Sequence, residues 1–366
     1  MKQWRHSQRQ SCTCPGCPNR RTPQLERYLQ YYKAVIATHL EGKSQSARLI
    51  GTHKDLFAAI STLRSNPDAT PTELYQLPGF PARSDLLNQV DLLALSVKVL
   101  LMVDPSAFHH SSHRLEKGAF RIHWKPDVPL SKFVQDLFPL GHHHILSYAS
   151  SGLFIDVKSG LKATKLLKRL GITIRATSDI RNHLHLDRRR TVLEAFHHTA
   201  FLKEQLRVTK DASNESSLSS SIRAGALPRQ FVLEVLDSLQ GVLFPLSDPK
   251  SKRLLQSLIS TESFDPDILN FEFSSVRRVG EENIAYVYLA DRLSDLYNEL
   301  QNPRPRGRLQ EEIQRKSGAR YMMMATLIGV IFSVLLGMAS LAVSTYQAWI
   351  APEKAGDVGE DGQGVR

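Results

Sequence analysis

Three groups of residues have the types and spacing that chemistry needs. Cys12-x-Cys14-x2-Cys17, with His6 nearby, offers three thiolates and an imidazole, the donor set of a four-coordinate structural Zn²⁺ site. The C-x-C spacing is tight and no second pair follows at the usual distance, so S-acylation and an unstructured segment compete with metal binding. His183-Leu-His185-Leu-Asp187 has the alternation of an H-x-H-x-D cluster, in which two imidazoles and a carboxylate hold an ion that activates water. That pattern is the basis of an alternative reading as a metal-dependent hydrolase. Arg188 stands where a further histidine belongs, so His109, His110, His113, His142 to His144, or His197 and His198 would have to complete the site in space. Such doublets in loops are more often surface residues.

The third group is cationic. From Asp156 to Arg190 there are ten Lys or Arg against Asp156, Asp179 and Asp187, a net of +7. Lys158, Lys162, Lys165 and Arg169 step by helical intervals, while Ala163, Leu166, Leu167 and Leu170 take another face. The spacing predicts an amphipathic helix with four cations along one side, suited to anionic lipid or an acidic protein partner. The competing reading is a solvated helix face. No nucleic-acid fold motif or aromatic stacking platform accompanies it, which argues against DNA or RNA. Walker A, GxGxxG after a strand and GxSxG patterns are absent, so binding rather than catalysis is the leading expectation.

These groups sit on a chain of 366 residues, 42% hydrophobic and 23% charged, long enough for one or two domains with real cores. Lys+Arg 47 against Asp+Glu 36 gives a formal charge of +11, which favours polyanionic neighbours. All three cysteines fall near the N-terminus and none remains to crosslink the core, as suits a reducing compartment. The first twenty residues hold no apolar run of the kind a signal peptide requires.

Tyr321 to Ile350 is uncharged and dominated by Met, Leu, Ile, Val, Ala and Phe, enough to cross a hydrocarbon core of ~30 Å. Tyr321 marks one end and Tyr346 and Trp349 the other, where amphipathic rings favour the headgroup boundary. Arg304, Arg306, Arg308, Arg315, Lys316 and Arg320 precede the span against Glu311 and Glu312, and Glu353, Asp357, Glu360 and Asp361 follow it with only Lys354 and Arg366. The positive-inside rule therefore expects the N-terminal body in the cytosol, and a span this near the end of the chain is expected to insert post-translationally as a tail anchor. Ala325, Gly329, Ser333 and Gly337 recur every fourth residue, a face on which a second copy of the helix could pair. The acidic tail and long span favour the endoplasmic reticulum or secretory route over the mitochondrial outer membrane. Asn214-Glu-Ser216 is a glycosylation sequon that should stay bare in the cytosol.

The remaining layout reads as mainly α with a small α/β unit in the middle. Residues 1–24 form a basic leader expected to be disordered, and 25–207 a helical and α/β domain. Residues 208–226 read as a linker, 227–301 as a helical region, 302–320 as a basic hinge and 351–366 as an acidic tail. Thr70-Pro71-Thr72-Glu73 is a capping box with proline at the first helical position. Ser84 to Val103 is strongly apolar, with Ser84 as its cap, but Asp85, Asp91 and Lys98 interrupt it, so a buried core helix is expected. Helices are expected over Val157–Leu170, Thr199–Arg207 and Glu281–Leu300, and strands over Ile172–Thr177, Thr191–Phe196 and the FRIHW run ending at Trp124.

The runs LGITIRATSDIRNHLHLDRRRTVLEAFHHTAFLKEQLR, LPRQFVLEVLDSLQGVLFPLSDPKSKRLL, FDPDILNFEFSSVRR and NELQNPRPRGRLQEEIQRKSGARYMMMATLIGVIFSVLLGM resemble a group of uncharacterised membrane proteins of filamentous ascomycete fungi. The likeness extends from about Leu25 to Ile350. It implies the same layout, a cytosolic body and one terminal span, and carries over no catalytic residue.

Overall fold

The computed structural model describes residues 22–41, 53–81, 86–105, 124–141, 152–211, 217–272, 275–303, 326–347 and 349. The chain divides into two units, 1–303 and 304–366. The first is mainly helical with a small mixed sheet at mid-chain; the second holds one long apolar helix.

The body begins with a short 3₁₀ turn, Thr22–Leu25, and helix α1, Glu26–Glu41. Helix α2 is His53–Ser65, α3 is Pro71–Leu74 and α4 is Leu86–Leu101. Two tyrosines of α1 dock on the end of α4: the Tyr28 hydroxyl donates to the Val99 carbonyl at 2.9 Å and that of Tyr31 to the Lys98 carbonyl at 3.0 Å. On α4, Leu92, Leu93, Leu95, Val97, Val99 and Leu101 are all buried. It is therefore the core helix that its interrupting charges predicted. The capping box opens α3 as read: Thr70 N–H donates to Glu73 Oε2 at 2.8 Å, and Thr70 Oγ1 accepts from Glu73 N–H.

Trp124, last residue of the expected FRIHW strand, donates its indole N–H to the Val128 carbonyl and stacks on Phe133 of α5, Leu130–Leu137. The rest of that run lies outside the described residues. Helices α6, Gly152–Gly160, and α7, Ala163–Leu170, lead into the sheet. Strand β1 is Thr173–Thr177, β2 His185–Asp187 and β3 Val192–Phe196, in the order β1-β3-β2. β3 runs parallel to β1, with Ile174 opposite Leu193, and antiparallel to β2, with His185 opposite Glu194. A parallel pair needs a long crossover. Here a 3₁₀ turn, Ile180–Asn182, and β2 itself occupy that crossover. One face of the sheet is core, with Ile174, Leu193 and Ala195 buried, while Thr173 and Arg175 of β1 are exposed.

Helix α8, Thr199–Val208, follows. The segment expected as linker holds a helix, α9, Leu218–Arg223, in which Ser221 and Ile222 are buried and whose last carbonyl accepts two hydrogen bonds from Arg64. Helix α10, Arg229–Asp237, runs into a π-helical turn, Ser238–Leu243. Helix α11, Pro249–Thr261, opens on an Asp248 cap with Pro249 at its first position, and α12 is Ala290–Gln301. One hydrophobic core runs from Ile36 through the sheet to Leu300.

The expected helix Glu281–Leu300 starts later, at Ala290, for a definite reason. The buried Glu234 carboxylate accepts the N–H groups of Val287, Tyr288 and Leu289 at 2.8, 2.9 and 2.9 Å. Donors taken by a carboxylate from another helix cannot close a preceding helical turn. They also place a negative charge at the positive end of α12.

In the second unit, α13 spans Thr326–Gln347, 22 residues of mean hydropathy 2.3, with none of its apolar window buried in the protein. At 1.5 Å per residue it is about 33 Å long, enough to cross a bilayer. No other described helix meets that length and hydropathy.

Candidate functional site

The four cations expected on one helix do not share one. The helix breaks at Leu161 and Lys162 into α6 and α7, and the breakpoint redirects the side chains. Lys158 Nζ lies 2.8 Å from Asp237 Oδ2 and 5.6 Å from the centre of the Tyr286 ring. Tyr286 donates its hydroxyl to the same Asp237 oxygen at 2.6 Å, and Arg277 approaches the other at 3.6 Å. Burial first, then the Asp237 charge, pushes the Tyr286 hydroxyl well above its ordinary pKa. A Cβ on Gly241 would stand 2.9 Å from Asp237 Oδ1, so glycine in the π-helical turn is what lets this carboxylate pack there. Lys162 is 3.9 Å from Asp248, Lys165 donates to the Ser159 carbonyl at 2.8 Å, and Arg169 is exposed in the last turn of α7.

His183, His185 and Asp187 are close in sequence but do different work. His183 is fully buried just ahead of β2. Its Nδ1 accepts the Phe196 N–H at 3.2 Å, which leaves the proton on Nε2 to donate to Ser238 Oγ at 2.6 Å. Ser238 in turn donates its hydroxyl to the Val235 carbonyl at 2.7 Å. Both ring nitrogens are thus occupied by protein, and burial, with Arg292 nearby, lowers the ring to a pKa of about 3. No lone pair is left for a metal.

Asp187 Oδ1 instead accepts the N–H groups of Arg189 and Arg190 at 3.0 and 3.1 Å, folding the turn between β2 and β3. Burial opposes its ionisation, but these two hydrogen bonds with the charges of Arg190 and His185 keep its carboxyl below the usual range. Among the described residues no three His, Cys, Asp or Glu side chains gather as a metal site.

The doublet His197–His198, read as surface, is buried. Its rings lie 3.9 Å apart, His198 shares a hydrogen bond with Ser178 at 2.9 Å, and the edge of Tyr31 rests on it. Burial lowers the two imidazoles to pKa values of about 4 and about 2. The doublet continues the apolar strand VLEAF into the apolar start of α8, and that continuity is the signal the loop reading overlooked.

Another buried pair gave no sign in the sequence: Lys203 Nζ lies 2.6 Å from Asp267, with side chains 1% and 3% exposed. The Lys203 ammonium also donates to the carbonyls of Asp267 and Asn270 at 3.2 and 2.7 Å.

A cleft of about 1570 Å³ opens between α5, α9 and the start of α10, with Lys132, Ser220, Arg229 and Tyr288 among its walls. Its central cation is internal: Arg229 grips Glu281 at 2.6 and 2.7 Å and donates to the carbonyls of Leu206 and Val276.

On α13, Gly329, Ser333 and Gly337 follow one another at four-residue steps, and the Ser333 hydroxyl bonds back to the carbonyls of Gly329 and Val330. Ala325 lies outside the described residues, as do Cys12, Cys14, Cys17, His109, His110, His113, His142 to His144 and Asn214. No family model matches the chain, and no curated protein or solved structure matches it.

Proposed function

We propose that this is a single-pass, tail-anchored membrane protein whose basic N-terminal body lies in the cytosol and serves as a binding or scaffold module at the membrane surface. The observation that carries this reading is α13, apolar along 22 residues and without a buried face. A core helix of a soluble protein buries its apolar side chains; this one leaves Leu327, Ile331, Phe332, Leu335, Leu336 and Leu341 each at least half exposed. The Lys/Arg excess on its N-terminal flank supports the orientation, and the fungal resemblance supports the layout. His183, one of the histidines that the hydrolase reading needs, has both ring nitrogens held within the fold, which weighs against that reading. The endoplasmic reticulum or the secretory route is the proposed membrane.

Alkaline carbonate washing of cell membranes is the first test. The full chain is expected to remain in the pellet, and release into the supernatant would reject the anchor. Proximity labelling from the body then tests the scaffold role. It should mark a consistent set of neighbours at one organelle, and labelling indistinguishable from that of an inert protein on the same anchor would reject it.

A further inference from the structure

Two separate elements that carry cations, the last turn of α7 and the turn between β2 and β3, adjoin one end of the sheet. Thr173, first residue of β1, donates its N–H to the carbonyl of Thr191 at 2.8 Å, tying β1 to the residue that follows Arg190. Gly171, left-handed at φ 56°, ends α7 two residues before Thr173, so Lys168 and Arg169 in the last turn of α7 lead directly into this junction. Lys168, Arg169, Arg188, Arg189 and Arg190 are all exposed. Arg188 reaches Glu299 at 3.4 Å and Arg190 reaches Asp187 at 3.8 Å, while neither Lys168 nor Arg169 makes an ion pair among the described residues. The cluster keeps a positive excess. Its turn is already ordered by the two N–H bonds to Asp187, so little backbone freedom remains to be lost on binding.

We propose that this end of the sheet is the surface through which the body engages an anionic membrane leaflet, with lipid phosphate and carboxylate oxygens as its ligands. The proposal rests on the anchored reading above and gives it a contact surface different from the helix face the sequence suggested. A guanidinium fork matches phosphate oxygens in pairs, and that of Arg169 is exposed in the last turn of α7. Residues 304–325 separate the body from α13, a length that reaches up to about 70 Å when extended. The leaflet is thereby present at high effective concentration. Residues 164–175 and 186–191 contain no Phe, Tyr or Trp, so the surface lacks the stacking platform that single-stranded nucleic acid needs.

The test uses the full chain reconstituted into discs of phosphatidylcholine alone and of equimolar phosphatidylcholine and phosphatidylserine, read by amide hydrogen exchange. In the anionic discs, exchange at 168–173 and 188–191 should slow by about tenfold, and high salt should reverse the effect. Combining Lys168→Glu, Arg169→Glu and Arg189→Glu should abolish the slowing while α8 keeps its protection, which shows that the variant is folded. Equal exchange in the two discs would overturn the proposal. So would slowing by a polyglutamate peptide on neutral discs with none from phosphatidylserine, which would assign the surface to an acidic protein segment. Failure of the anchor itself reads differently: the chain would leave both kinds of disc on carbonate washing.

Discussion

The Lys158 ammonium and the Asp237 carboxylate, 79 residues apart, meet at 2.8 Å in a pocket floored by the Tyr286 ring. The contact joins α6 to the end of α10 and ties down, half-buried, a cation that looks surface-bound in the sequence. Replacing Lys158 with Ala leaves Asp237 with Tyr286 and the more distant Arg277. The expected cost is about 1–3 kcal/mol of stability, with no change in membrane association. Thermal unfolding in mild detergent checks the first part and flotation with liposomes the second.

Lys203 and Asp267 are the most deeply buried ion pair described. Lys203→Met strands a carboxylate in the core and should destabilise the body by about 3–5 kcal/mol. The double variant Lys203→Met, Asp267→Leu removes both charges and should recover a large part of that loss. A double variant no more stable than the single one would show that the pair does not act as a unit.

Glu234 holds three N–H groups ahead of α12. Glu234→Ala should cost at least about 1–3 kcal/mol and speed amide exchange at 287–289, whereas Glu234→Gln, which keeps one acceptor oxygen, should be milder. Equal effects from the two substitutions would mean that the cap is not what orders this segment.

Three buried imidazoles make the body sensitive to acid. His183, His197 and His198 have folded pKa values of about 3, about 4 and about 2, against 6.5 when exposed, so the unfolded chain binds more protons than the folded one below pH 6.5. Stability is complete above 6.5 and falls as pH drops from there toward the folded values. Melting temperature should decline steadily on acidification through this window, and His198→Phe should make the decline shallower. A flat profile would contradict the buried, neutral state.

The elements that local physics controls were legible in the sequence. The apolar span, the capping box, the core helix α4 and strands β1 and β3 all announce themselves through composition, period or caps. What escaped depends on partners far away in the chain. Residues 157–170 have unbroken helical periodicity, yet Asp237 and Asp248 draw Lys158 and Lys162 to the two sides of a break. β2 is only three residues long and exists because β3 pairs with it. The metal pattern at His183, His185 and Asp187 misled because spacing says nothing of Ser238 and Phe196, which already hold both His183 nitrogens. The same stretch carried the basic cluster, but only the Thr173–Thr191 contact shows that α7 and the arginine turn share one end of the sheet.

Glycan mapping of the full chain reads the orientation of α13, with the natural sequon at Asn214 on one side of it and an engineered acceptor after Ala351 on the other. A glycan on the C-terminal acceptor and none on Asn214 is the expected result in membranes of the secretory route. A glycan on Asn214 would place the body in the lumen and contradict the orientation on which the proposed role depends.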